Sequence, residues 1–119
     1  MSKEIDQLVA EKVMEWKYSY SVGYPEPHTI AYKDEEGKTY KGYSPSTNLQ
    51  DAWLALDKVC EKKNCRAVID RNQNQTEVSF KGQMGGNLQH YGIAETPMMA
   101  ICIAVLDTVG IANLLEFSQ

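Results

Sequence analysis

The sequence predicts an α+β fold, an α-β-α layered sandwich with a mainly antiparallel sheet and three helices, formed as one domain over residues 1–119. Three observations predict it. Apolar residues recur at helical spacing in three separate stretches. Short runs rich in β-branched and aromatic residues come in pairs around turn-forming residues, as the strands of hairpins do. A chain of 119 residues holds one hydrophobic core without room for a second, and its 43% hydrophobic and 24% charged residues are those of an ordinary globular protein.

Over residues 3–16, Ile5, Leu8, Val9, Val13 and Trp16 line one face of a helix. Residues 17–43 then hold six of the seven tyrosines, Tyr18, Tyr20, Tyr24, Tyr32, Tyr40 and Tyr43, interrupted by Gly23, Pro25 and Pro27. The local signal is strand and loop. Residues 29–33 and 38–43 flank Asp34-Glu35-Glu36-Gly37, and acidic turn residues closed by glycine predict a hairpin. Thr47, followed three positions later by Gln50, fits a capping box and opens a second helix that runs to about Lys62. Its expected buried face is Leu49, Ala52, Trp53, Leu56, Val59 and Cys60, so Trp53 reads as a core anchor, as does Trp16.

Residues 66–71 and 76–80 predict a second hairpin around the polar turn 72–75, with Thr76, Val78 and Phe80 on one face and Glu77, Ser79 and Lys81 on the other. Glycines at 82, 85 and 86 make 82–87 a loop before a short strand at 88–93. Thr96-Pro97 starts the third helix, threonine as the cap and proline at the first helical position, and Gly110 ends it. Apolar residues cover nearly its whole circumference, which predicts the most buried element. Ile111, Leu114, Leu115 and Phe117 extend an apolar tail suited to packing on a second copy, hence a homodimer.

A formal charge of −4 and a pI near 5.1 exclude a general attraction for duplex nucleic acid, which rests on clustered Lys and Arg. Residues 1–10 lack the apolar stretch of a secretory signal, and the apolar run 98–106 is half of the roughly 20 residues that a membrane span needs. An intracellular protein with no membrane contact is expected. Three cysteines, Cys60, Cys65 and Cys102, read as free thiols, with neither a disulfide framework nor a zinc site. No cofactor is implied.

Two stretches carry candidate binding residues. In Lys81-Gly82-Gln83-Met84-Gly85-Gly86-Asn87 the glycines let backbone amides nest around an anion, with Lys81 supplying charge and Asn87 a hydrogen bond. The pattern fits neither a Walker loop nor a dinucleotide fingerprint, and a plain connection is the better explanation of it. Arg66 and Arg71 add to a local basic patch. The tyrosine-rich stretch offers Tyr18, Tyr20, Tyr24 and Tyr43 as a binding surface, the alternative being cross-strand packing. His90, beside Tyr91, and His28 have the chemistry for acid-base work, but no nucleophile stands at readable spacing. The candidate ligand-binding set is therefore Tyr18, Tyr20, Tyr43, Arg66, Arg71, Lys81, Asn87 and His90, with no catalytic residue and no metal ligand.

Three stretches in order, residues 5–16 ending in Trp16, then Tyr43-Ser44-Pro45-Ser46-Thr47-Asn48 with Ala52-Trp53, then Thr96-Pro97 through Ala100-Ile101-Cys102-Ile103-Ala104, resemble the phage ABA sandwich domain family. The resemblance covers nearly the full chain. It implies a bacteriophage or prophage protein with an α-β-α layered fold, acting in the host cytoplasm, and it brings no catalytic residues. Residues 17–40 and the tail after Gly110 look like this chain's own additions. The expectation that follows is a non-enzymatic accessory protein that counters host defence by sequestering a nucleotide-derived immune signal. An alternative is a protein-protein interaction module that inhibits a host enzyme through the acidic surface of Asp34, Glu35 and Glu36; a nucleotide hydrolase using His90 ranks last.

Overall fold

Apolar spacing in the opening stretch produces a helix in two parts: α1 (Ser2–Leu8) continues without a break into a π-helical turn (Val9–Val13). The structure, a computed structural model, describes residues 2–24, 29–82 and 87–111. His28, residues 83–86 and the tail beyond 111 lie outside the described residues, as do the side chains of Asn87 and His90. The π turn closes with the Met14 amide donating to the Val9 carbonyl and the Trp16 amide to the Ala10 carbonyl, both at 3.0 Å. Glu15, at φ 62, makes the left-handed step that lets the chain turn out of the helix. Trp16 is thereby delivered into the core at 7% exposure.

The strands divide into two three-stranded antiparallel sheets. The first is β1 (Lys17–Val22), β2 (Thr29–Lys33) and β3 (Thr39–Lys41), in that order. The second is β4 (Cys65–Arg71), β5 (Thr76–Gly82) and β6 (Asn87–Ala94). The sequence reading resolved 29–33 and 38–43 within the tyrosine-rich segment and missed β1, whose alternating serines and tyrosines match a half-exposed edge strand. A layered α+β fold results, its antiparallel pairing shared between two sheets rather than one.

In chain order α2 (Leu49–Lys63) follows β3 and precedes β4, capped by Asn48, whose side chain accepts from the Asp51 amide at 3.1 Å. The cap falls one residue later than the capping box at Thr47 predicts, because residues 44–48 form a turn of their own. The Asn48 amide donates to the Ser44 carbonyl at 2.8 Å, Asp51 accepts from the Ser44 amide at 2.9 Å, and Asp6 accepts from the Ser46 amide at 2.8 Å. The Ser-Pro-Ser-Thr-Asn segment thus ties α1 to α2, with Pro45 fully buried. Burial raises the Asp6 carboxyl above its ordinary value even though the Ser46 amide favours its ionised form.

Trp53 corrects the sequence reading: it is 47% exposed, and Leu49 is equally open. The helix buries a narrower stripe of Ala52, Ala55, Leu56 and Val59. Small alanines there allow close approach of α3 (Pro97–Asp107), capped by Thr96 and terminated where Gly110 takes φ 84. This third helix is the most buried element, as its apolar circumference predicts. It lies against β6 so closely that a Cβ on Gly92 would come within 2.4 Å of the Ala100 carbonyl oxygen and 2.6 Å of the Ala104 amide nitrogen. Thr76, Val78 and Phe80 are buried on the helix-facing side of β5, as alternation predicts.

Candidate functional site

Two hollows lie side by side along the π turn and α2, one reaching the β2–β3 hairpin and the other the end of α3. The wider is an open groove of about 450 Å³ lined by Met14, Glu15, Trp16, Tyr40, Leu54 and Lys58, with Asp34, Glu35 and Glu36 along its rim. The other, of about 300 Å³, lies between Val13, Val59 and Val109, with Lys58, Lys62, Lys63 and Thr108 around it. Lys58 borders both. Glu15, from the groove, is ion-paired with Lys62, from the cavity, so this bridge forms the ridge between them. The Lys62 hydrogen bond, then its charge, holds the Glu15 carboxyl below its ordinary range, with Lys58 assisting.

Aromatic packing shapes the groove wall. Trp16 stacks on Tyr40 with ring centroids 4.0 Å apart and meets Tyr43 edge-on at 4.9 Å. Tyr40 is fixed from the other side by its hydroxyl, which donates to Asp34 Oδ2 at 2.9 Å. Asp34 Oδ1 also accepts from the amides of Glu36 and Lys38, each at 2.9 Å. Desolvation raises the Asp34 carboxyl, and the bonds from the Lys38 amide, the Tyr40 hydroxyl and the Glu36 amide together outweigh that and hold it below its ordinary value. Asp34 is therefore the hub of its turn, and the acidic surface is left to Glu35 and Glu36.

The sequence-derived binding set does not converge. Tyr18 and Tyr20 are exposed on β1, whereas Tyr43 is 7% exposed with its hydroxyl donating to the Asp51 carbonyl at 2.8 Å, which makes it a core residue and removes it from any surface. Arg66 and Lys81 stand opposite each other on β4 and β5, and Asn87 is opposite Lys81 in backbone register. Arg71 lies at the far end of the same sheet, where it donates to Thr76 Oγ1 at 2.5 Å and to the Glu95 carbonyl at 3.4 Å. Sequence reasoning missed Lys58, Lys62 and Lys63. The signal was present in the i, i+4 spacing of Lys58 and Lys62 at the end of a helix, but a helical lysine pair ordinarily reads as solvated surface.

No described group suggests covalent chemistry. Cys65 and Cys102 are buried and Cys60 is half-buried, all free. Burial pushes the Cys60 thiol up to about 11 and drives Cys102 upward as well, so both stay protonated at neutral pH. Among the described residues no three His, Cys, Asp or Glu side chains gather as metal ligands, and no helix is long and apolar enough to cross a membrane.

Comparison with known proteins gives two matches. The family model described as the phage ABA sandwich domain matches residues 7–106. A 2.0 Å crystal structure of a phage protein from Bacillus cereus ATCC 14579 superposes with a TM-score of 0.67 over 95% of this chain and 91% of that one, at 18% identity. At that identity the likeness concerns the fold alone. Among curated proteins none matches.

Proposed function

The chain belongs to the phage ABA sandwich domain family, and on that premise we propose that it is a non-enzymatic phage accessory protein, working in the host cytoplasm by capturing a small nucleotide-derived ligand. The observation that carries this reading is the cavity of about 300 Å³ lined by Lys58, Lys62 and Lys63 over an apolar floor of Val13, Val59 and Val109, with Lys62 ion-paired to Glu15 and the charges of Lys58 and Lys63 left to meet an anion. Its size is at the small end of ligand pockets, about 300–1,000 Å³. Clustered lysines favour phosphate, and valines suit the flat apolar part of a nucleotide. Sequestration of a host immune signal is the role in which such capture would serve a phage.

A second reading has its own observation. The aromatic groove carries Glu15, Glu35 and Glu36 against the single lysine Lys58, a charge pattern suited to a basic segment of a host protein. Native mass spectrometry of the chain recovered from infected cells separates the two. A released nucleotide, lost in Lys58→Glu with Lys63→Glu, supports capture. A retained host protein, lost in Glu35→Lys with Glu36→Lys, supports the second reading. Asp34 stays intact in that test because it holds the turn together.

A further inference from the structure

The sheet β4-β5-β6 buries one face against α3, and no described element covers the other, where the strand register sorts charge into rows. Arg66 stands opposite Lys81 at one end, Asp70 opposite Glu77 at the other, and Val68, Ser79 and Tyr91 form the neutral row between them. Like charges placed directly across a strand pair destabilise a sheet. Here the arrangement occurs twice, with opposite sign at the two ends. Among the described residues none of these four charged side chains has an ion-pair partner.

We infer that this face pairs with the same face of a second copy of the chain. A two-fold axis lying along the middle row turns the Arg66–Lys81 row of one copy over the Asp70–Glu77 row of the other, and the reverse at the opposite end, so all four like-charge conflicts in the dimer are answered. Sheets stack about 10 Å apart, a gap that long basic and acidic side chains span together. At the axis each residue meets its own copy, and Tyr91, 57% exposed, supplies the aromatic anchor. A three-stranded face is small beside the roughly 800 Å² per partner of a standard interface, so the dimer is weak and salt-sensitive. The inference shares no residue with the lysine cavity and stands or falls apart from it.

Sedimentation velocity on the full chain, from micromolar to near-millimolar concentration at low and high salt, tests it. The wild type is expected to dimerise with concentration and to dissociate with salt. Arg66→Glu with Lys81→Glu, and separately Asp70→Lys with Glu77→Lys, each weaken self-association at least about tenfold, while an equimolar mixture of the two chains forms a heterodimer. Ser79→Lys, which sets two ammonium groups against each other at the axis, serves if a charge-reversed chain fails to fold by circular dichroism. A wild type that stays monomeric throughout overturns the inference, as do variants that associate like the wild type or fail to pair when mixed.

Discussion

The groove and the cavity are neighbours with opposite chemistry. Both lean on the end of the π turn and on Lys58, yet one is broad, aromatic and acidic and the other small, aliphatic and basic. The Glu15–Lys62 bridge lies between them and joins one residue of each. Against a chain charge of −4, the difference teaches that local placement and not net charge decides what a surface can hold. It also shows how much depends on one backbone step, since the left-handed turn at Glu15 sends Trp16 into the groove wall and leaves Glu15 on the ridge.

The largest expected effect comes from removing the groove wall. Trp16→Ala costs about 3–5 kcal/mol in chemical denaturation, as truncation of a buried tryptophan does, and takes the Tyr40 stack with it. Gly92→Ala strikes the seat of α3 on β6 instead. Its Cβ would meet backbone atoms of α3, which no side-chain rotation relieves, so a loss of about 2–3 kcal/mol is expected by the same measurement. Asn48→Ala, removing the α2 cap below the lysines, costs about 1 kcal/mol.

Smaller effects are read by pH, at the ridge between the hollows and at the tie between α1 and the turn before α2. Glu15 has a folded value below its ordinary 4.5, so its contribution is present above 4.5 and is lost as pH falls through the lowered value. The stability gap between wild type and Glu15→Gln should therefore close on acidification. Asp6 moves the other way: its folded value is raised above 3.8, so its favourable contribution is present below 3.8 and lost as pH rises through the folded value. Thermal unfolding of Asp6→Asn against wild type should show the variant gaining relative stability as pH rises towards neutral.

Much of the fold was legible because its signals are local. Thr96-Pro97 and Gly110 bracket the third helix as capping chemistry requires, and the alternation of Thr76, Val78 and Phe80 against Glu77, Ser79 and Lys81 sets the faces of β5. Trp53 was misread because apolar periodicity marks a face broader than the stripe that alanines let α3 cover. The site was scarcely legible at all. Met14 to Trp16, the hairpin turn at Asp34 and the helical Leu54 and Lys58 are far apart along the chain, and nothing in any one segment indicates that they meet. Likewise Arg66 and Arg71, close in sequence, lie at opposite ends of their strand.

The central claim is that an anionic, nucleotide-class ligand enters the lysine cavity. Amide chemical shifts of the labelled chain, titrated with a nucleoside diphosphate and with a cyclic dinucleotide, test it most directly. Saturable shifts centred on Lys58, Lys62, Lys63, Thr108 and Val109 are expected, abolished in Lys58→Glu with Lys63→Glu. Shifts confined to other surfaces, or none with either ligand, would contradict it.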